Sequence, residues 1–382
     1  MSDAVQQPAN PSHSEPAPEP GPAPTPEPAP FAIDGGGDVS SDPLQLEAAV
    51  VAAEAAGFDG ALGVELKHDP FVGLALAARA TERIRLTSSI AVAFARNPMN
   101  TAVLANDLQL ISRGRFVLGL GSQVRPHIER RFSMPWSRPA ARMREYVRAL
   151  HAIQESWATG SRLSFSGEFY THTLMPPMFS PGPNPFGAPC ITLAAVGPGM
   201  AEVAGEVADG MLAHPFTTRR YLEQVSLPAV ARGRAAAGSG AGAAGGTGTG
   251  APSARPAFEV SLPAFIAIGR DEAEVAAART AVKKQIAFYG STPTYLPVLE
   301  LHGWESVHEQ LHRGSLRGEW DAMGDLVTDE MFDAFAVAGS AAEVASALTA
   351  RYSGLVQRLS FSAPYPVAPE LWRELLTALR AT

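Results

Sequence analysis

The sequence holds a single cysteine, Cys190, in 382 residues, which excludes an intramolecular disulfide framework and any metal site built on several thiolates. It has no block of lysine or arginine either: 30 basic residues are scattered among 38 acidic ones, for a net charge of −8. That balance argues against nucleic acid or an anionic membrane surface as the main partner. Long apolar runs are missing too. The most apolar segments, residues 71–78 and 88–94, fall well short of the roughly 20 residues that a bilayer-spanning helix needs. No charged leader followed by an apolar stretch opens the chain, so a cytoplasmic protein acting on a small-molecule substrate is the expectation.

Two stretches are poor in large apolar side chains. Residues 1–30 are rich in Pro, Ala and Glu and cannot bury enough surface to offset their ordering entropy, so they read as a disordered tail. Residues 232–256, with GSGAGAAGGTGTGAPSARP at their core, read as a flexible Gly-rich loop. The remaining chain, 31–382, is one domain.

Within it, strand and helix signals alternate. The central unit runs from Ile84 to Gln123: an apolar run over 84–94, a helix, and a second apolar run closing in Gly119-Leu120-Gly121-Ser122. Neither run alternates strictly, as expected of strands buried on both faces of a parallel sheet. Asn97 followed by Pro98 sets the start of the intervening helix, and Gly114 follows its last turn. The same cap-plus-proline logic starts helices at Asp69-Pro70 and Gly197-Pro198, and Ser340 with Glu343 makes a capping box. Strands are expected at 31–34, 58–64, 84–94, 113–123, 190–196, 210–214, 258–268 and 356–362, each followed by helix. That order points to a (β/α)₈ TIM barrel, with a doubly wound open sheet as the alternative. Residues 290–332 read as a helical insertion after strand seven.

In such a barrel the chemistry belongs at the carboxyl ends of the strands. Those ends carry Asp34, Glu65, Ser89-Ile90, Gly121-Ser122-Gln123, Val196-Gly197-Pro198 and His214. Gly197-Pro198 at a helix start suits a phosphate, because the first backbone N–H groups there are unpaired; it is equally a plain strand-to-helix turn. Gly119-x-Gly121 lacks the third glycine of a dinucleotide fingerprint, since Val124 stands there. His127, just past strand four, offers an imidazole to a cofactor or substrate, or is a surface histidine. Glu65 is a candidate acid or base, or a residue that helps to start the next helix. One motif speaks for other chemistry: His308-Glu309-Gln310-Leu311-His312 matches the H-E-x-x-H zinc signature. Arg313 and Gly314 are expected to end that helix at once, so the match reads as chance and no metal ligand is assigned.

From strand two onward the chain resembles the luciferase-like flavin monooxygenase superfamily, most of all the branch that uses the deazaflavin coenzyme F-420. The residues that carry the likeness are EAAGFDG, HDPF, RIRLTSSIAVAFARNP, SRGRFVLGLGSQ, AAVGPGM, AGEVADG with HPF, and QIAFYGSTPTY, in that order. The resemblance implies a TIM barrel with an insertion after strand seven. It places Ser89-Ile90 behind the cofactor ring, in a bulge that typically holds a non-proline cis peptide. Gly121, Ser122 and Gln123, with Val196, Gly197 and Pro198, match segments that meet the cofactor, and His127 matches a polar residue reaching it. Glu65 falls near where some relatives place an acidic group by the substrate; Asp34, before Gly35-Gly36-Gly37, aligns poorly.

The expected activity is hydride transfer between coenzyme F-420 and a small organic substrate, with His127 or Glu65 as proton carrier. The alternative is an FMN-dependent monooxygenase on the same barrel; behind it stand a non-catalytic flavin-binding barrel and, last, a zinc hydrolase. Relatives often pair through barrel helices, which leaves a homodimer open, and the Ala-, Gly- and Arg-rich composition fits a GC-rich actinobacterial source.

Overall fold

The computed structural model describes residues 31–35, 42–240 and 257–382. The Pro-rich tail 1–30, and 241–256 of the Gly-rich loop, lie outside the described residues. Eight parallel strands form the core: β1 (Ala32–Ile33), β2 (Gly60–Gly63), β3 (Arg85–Ser88), β4 (Phe116–Gly121), β5 (Cys190–Ala195), β6 (Gly210–Ala213), β7 (Glu259–Ile268) and β8 (Arg358–Ser362). Each pairs with its neighbour in sequence, β8 returns to β1, and a parallel bridge from Asp34 to Gly60 joins β1 to β2. The sheet is therefore a TIM barrel.

The helices begin where the local chemistry says they should. Asp42 accepts from the Leu44 N–H to start α1 (Pro43–Ala56), Asp69 from Phe71 N–H to start α2 (Pro70–Ala80), and Asn97 from Asn100 N–H to start α3 (Pro98–Ile111). Then come α4 (Pro139–Thr159), α5 (Pro198–Val207), α6 (Leu227–Gly240) and α7 (Glu272–Gly290), the last capped by Asp271. α6 runs on to Gly240, so residues 232–240, expected in the flexible loop, are helical; the Ala-rich stretch before Gly238 favours helix as much as a linker.

The insertion follows α7 and contains α8 (Glu305–Arg317) and α9 (Asp329–Phe335). It ends in a strand that the sequence pattern did not show, Ala336–Gly339, which pairs in parallel with the carboxyl end of β7, Phe265 opposite Ala336. Phe216, Phe265, Phe332, Phe335 and Leu299 bury together and weld the insertion to the rim above β6 and β7. The chain finishes with α10 (Ala341–Tyr352), capped by the Ser340–Glu343 box, and α11 (Pro369–Ala381).

α8 corrects the reading of the zinc-like motif. The helix does not stop at Gly314; it continues to Arg317 and is capped by Gly318 in the left-handed region. Gly314 is there for close packing, since a Cβ would lie 2.9 Å from Met323 Cγ. His308 Nδ1 lies 2.7 Å from the Gly290 carbonyl oxygen and His312 Nδ1 lies 3.0 Å from that of Ser291, so both rings serve the open carbonyls at the end of α7. Among the described residues no three His, Cys, Asp or Glu side chains converge as metal ligands.

The barrel seam carries an ion pair. Arg358 Nε donates to Asp34 Oδ2 at 3.1 Å, its Nη2 donates to Oδ1, and both residues are buried. Gly60 must lack a side chain, because a Cβ there would clash with Asp34 Oδ1 and come within 2.7 Å of Arg358 Nη2. Asp34 is thus committed to closure. Replacing Arg358 by Met strands a buried carboxylate and should cost about 3–5 kcal/mol in urea unfolding. The double variant Asp34→Leu, Arg358→Met should recover most of that loss; an Arg358→Met cost below about 1 kcal/mol would contradict the assignment.

Candidate functional site

The carboxyl ends of β3, β4 and β5 stand side by side. After Ser88 the chain makes a bulge and resumes pairing with β4 at Ala91 and Val92, opposite Leu120 and Gly121. The Ser89–Ile90 peptide bond within it is cis, the feature that the resemblance implies there. Ser88 fixes the bulge from below: its Oγ donates to the Gly119 carbonyl oxygen and accepts from the Gly119 N–H, both at 2.9 Å. The Ile90 side chain fills the space a Cβ on Gly121 would need, 2.8 Å from that position, with Ala194 of β5 at 3.5 Å. Ile90, Gly121 and Ala194 therefore make a small apolar floor.

Beside it, α5 begins directly after the turn Val196-Gly197-Pro198. No side chain caps this helix at Gly197, and nothing lies within 4 Å of where Cβ atoms of Gly197 and Gly199 would stand. An uncapped helix start facing open space fits an anion such as a phosphate. An apolar floor and an uncapped, open helix start thus occur on adjacent strands, an arrangement that fits a flavin or deazaflavin. Ser122 Oγ donates to the Gln123 carbonyl, while Gln123, at φ +61°, takes the Val124 N–H on its side-chain oxygen.

Glu65 is buried behind the bulge. Its Oε2 accepts from the Val92 N–H at 2.8 Å and from Arg96 Nη1 at 2.7 Å, and Arg96 reaches Asp69 with its other nitrogen, also at 2.7 Å. The carboxylate ties the loop after β2 to the strand beyond the cis bond. His127 stands apart on an exposed short helix, Arg125–Arg130, and its ring makes no hydrogen bond among the described residues.

At the β6 end the structure assembles a group that the sequence pattern left scattered. Ala195 is in register with Ala213, so His214 follows next to Val196. Its Nδ1 accepts from the Phe216 N–H at 3.0 Å, and its Nε2 lies 3.0 Å from Tyr295 Oη. The Tyr295 ring is tilted by 30° against it with centroids 4.6 Å apart, and Tyr289 meets it edge-on, also at 4.6 Å. HPF and QIAFYGSTPTY both stood out in the sequence, but only the fold joins residues so far apart. A cavity of about 300 Å³, lined by Arg85, Cys190 and Glu259 among others, opens at the opposite, amino-terminal mouth. There Arg85 and Glu259 are already paired at 2.6 Å.

The luciferase-like monooxygenase family profile matches residues 29–358. The chain belongs to this family. A family relative in Mycobacterium tuberculosis, an uncharacterized protein, is 54% identical over 311 residues, spanning 81% of this chain and 87% of its own. The 5,10-methylenetetrahydromethanopterin reductase of Archaeoglobus fulgidus is 28% identical over 312 residues, 78% of this chain and 83% of that one. The luciferase-like barrel also superposes on the coenzyme F-420 dependent tetrahydromethanopterin reductase of Methanopyrus kandleri, with a TM-score of 0.68 at 21% identity over 91% of this chain and 96% of that one. A second superposition is on the oxygenating constituent of 3,6-diketocamphane monooxygenase from Pseudomonas putida, in complex with FMN (TM-score 0.60, 16% identity, 92% and 98%). The relatives with a named activity are reductases and a monooxygenase, one of them coenzyme F-420 dependent and one in complex with FMN, and no helix among the described residues is long and apolar enough to cross a membrane.

Burial drives the His214 imidazole down to about 3 from its ordinary 6.5. The unfolded chain therefore binds a proton that the folded one refuses. The stability linked to His214 is fully present above about pH 6.5 and is lost as pH falls toward 3. Its titratable neighbours, the Tyr289 and Tyr295 phenols, are pushed up by burial and do not ionise in that window. Urea midpoints measured between neutrality and about pH 4 should fall less steeply in His214→Phe than in the wild type. Equal slopes would contradict a buried neutral ring.

Proposed function

We propose that this protein is an oxidoreductase that binds coenzyme F-420 and transfers a hydride between it and a small organic substrate. The observation that carries the reading is the pairing of the Ile90–Gly121 floor with the uncapped, open start of α5. The bound cofactor would supply the hydride chemistry. The protein would supply position: Ile90, Gly121 and Ala194 under the ring, and the N–H groups after Gly197 on the phosphate. Glu65 and Arg96 would hold the bulge in register beneath the ring, with Ser89, Ser122 and Gln123 lining the approach. His127, at the exposed edge, would meet the outer part of the cofactor or pass protons to solvent. The second reading, an FMN-dependent monooxygenase, is favoured by the likeness to the FMN-bound Pseudomonas putida barrel.

Two measurements test this. Fluorescence titration of the cofactor-free protein should show coenzyme F-420 binding in the low micromolar range or tighter, with FMN much weaker; the reverse order would move the reading to the monooxygenase. Gly197→Asp should leave the fold intact, because aspartate is a good N-cap, yet weaken F-420 at least about tenfold by placing a carboxylate on the phosphate seat. Unchanged affinity would place the phosphate elsewhere.

A further inference from the structure

His214 and Tyr295 have no part in the reading above, although they stand beside Val196 on the same rim. Their protons can be assigned. Nδ1 of His214 accepts from a backbone N–H at 3.0 Å, so it carries no hydrogen. An imidazolium would carry a hydrogen on both nitrogens, so with Nδ1 bare the ring is the neutral form and its single N–H lies on Nε2. That N–H donates to Tyr295 Oη at 3.0 Å, so the phenol is the acceptor in this bond. The Tyr295 hydroxyl hydrogen is then left over, because Oη has no other partner among the described residues. Tyr295 is only half-buried, and its ring is held by His214 at 4.6 Å and by Phe216 at 5.5 Å. The surroundings are aromatic. No charged side chain shifts His214, and only the Tyr289 phenol adds to the burial that raises Tyr295.

We propose that the Tyr295 hydroxyl seats the oxygen of an uncharged carbonyl substrate, or of the corresponding alcohol, and that His214 is its positioning residue. This substrate class rests on the hydride-transfer reading. An anionic substrate would need a cation, and among the described residues no charged side chain acts on His214 or Tyr295, whereas a neutral carbonyl needs one donor and an apolar wall. In the reducing direction a C–H bond forms at the carbonyl carbon, with the hydride drawn from the reduced deazaflavin, which is oxidised. The C=O π pair moves onto oxygen, which takes the Tyr295 proton as the O–H bond to the phenol breaks. The His214 N–H supports the phenolate until solvent returns a proton.

The test is a binding comparison by ¹⁹F NMR with 4-fluoroacetophenone and its oxygen-free counterpart 4-fluoroethylbenzene, on cofactor-free and F-420-loaded protein. The wild type should prefer the ketone. Tyr295→Phe, which keeps the ring contacts, should weaken the ketone about fivefold or more and leave the hydrocarbon and F-420 affinity unchanged. His214→Phe should weaken the ketone about threefold, and His214→Gln, which retains a side-chain N–H, should restore part of it. A wild type indifferent to the carbonyl, or a Tyr295→Phe protein that binds the ketone equally well, overturns the proposal. Failure of F-420 to bind overturns the hydride reading instead, while the cofactor-free comparison still decides the role of Tyr295.

Discussion

A buried pair of charges closes this barrel. β1 is a two-residue strand, and the backbone bonds it can make to β8 and β2 are few. What sets its position is the Asp34 carboxylate locked onto Arg358 across the bare surface of Gly60, reinforced by Asp59, which accepts the Ile33 N–H at 2.6 Å and pairs with Arg380. Such a pair adds little net stability over apolar packing, but it has one low-energy geometry, so it specifies register where apolar contacts alone would let a short strand slide. Every strand end that forms the rim inherits its height from that closure.

The rim divides into two halves with different physics. The half over β3, β4 and β5 is made of small residues and backbone, held by Ser88 from below and by Glu65 and Arg96 from the side; it presents shape and the uncapped start of α5. The half over β6 and β7 is made of rings, His214, Phe216, Tyr289 and Tyr295, with Phe216 stacked on Phe335 of the insertion at 4.5 Å. On the proposed reading the first half takes a large planar group and the second a small neutral molecule.

Much of this could be read from the sequence, and the reason is local chemistry. Asp69-Pro70, Asn97-Pro98 and Gly197-Pro198 mark helix starts within a few residues of chain, so those boundaries were legible and held. Readings that depended on what packs nearby did not fare as well. Gly314 looked like a helix end because glycine usually is one, and only Met323 explains it otherwise. The strand Ala336–Gly339 is too short to carry a periodicity. The His214–Tyr295 bond joins residues 81 positions apart, and Arg96 takes its importance from two carboxylates, Glu65 and Asp69, that only the fold turns toward it.

The strand that ends the insertion has a consequence for how this fold can vary. The excursion leaves from α7, which follows β7, and comes back onto β7 itself at Phe265. Both ends of the excursion join the chain on one stave of the barrel and its packing reaches the neighbouring stave through Phe216, so changes in the length and content of this cassette leave the seam at Gly60 untouched. Tyr295 travels with the cassette, whereas His214 belongs to the barrel. The frame keeps the His214 imidazole in place whatever residue a different cassette sets against it, so exchanging one contiguous segment changes what stands beside that ring.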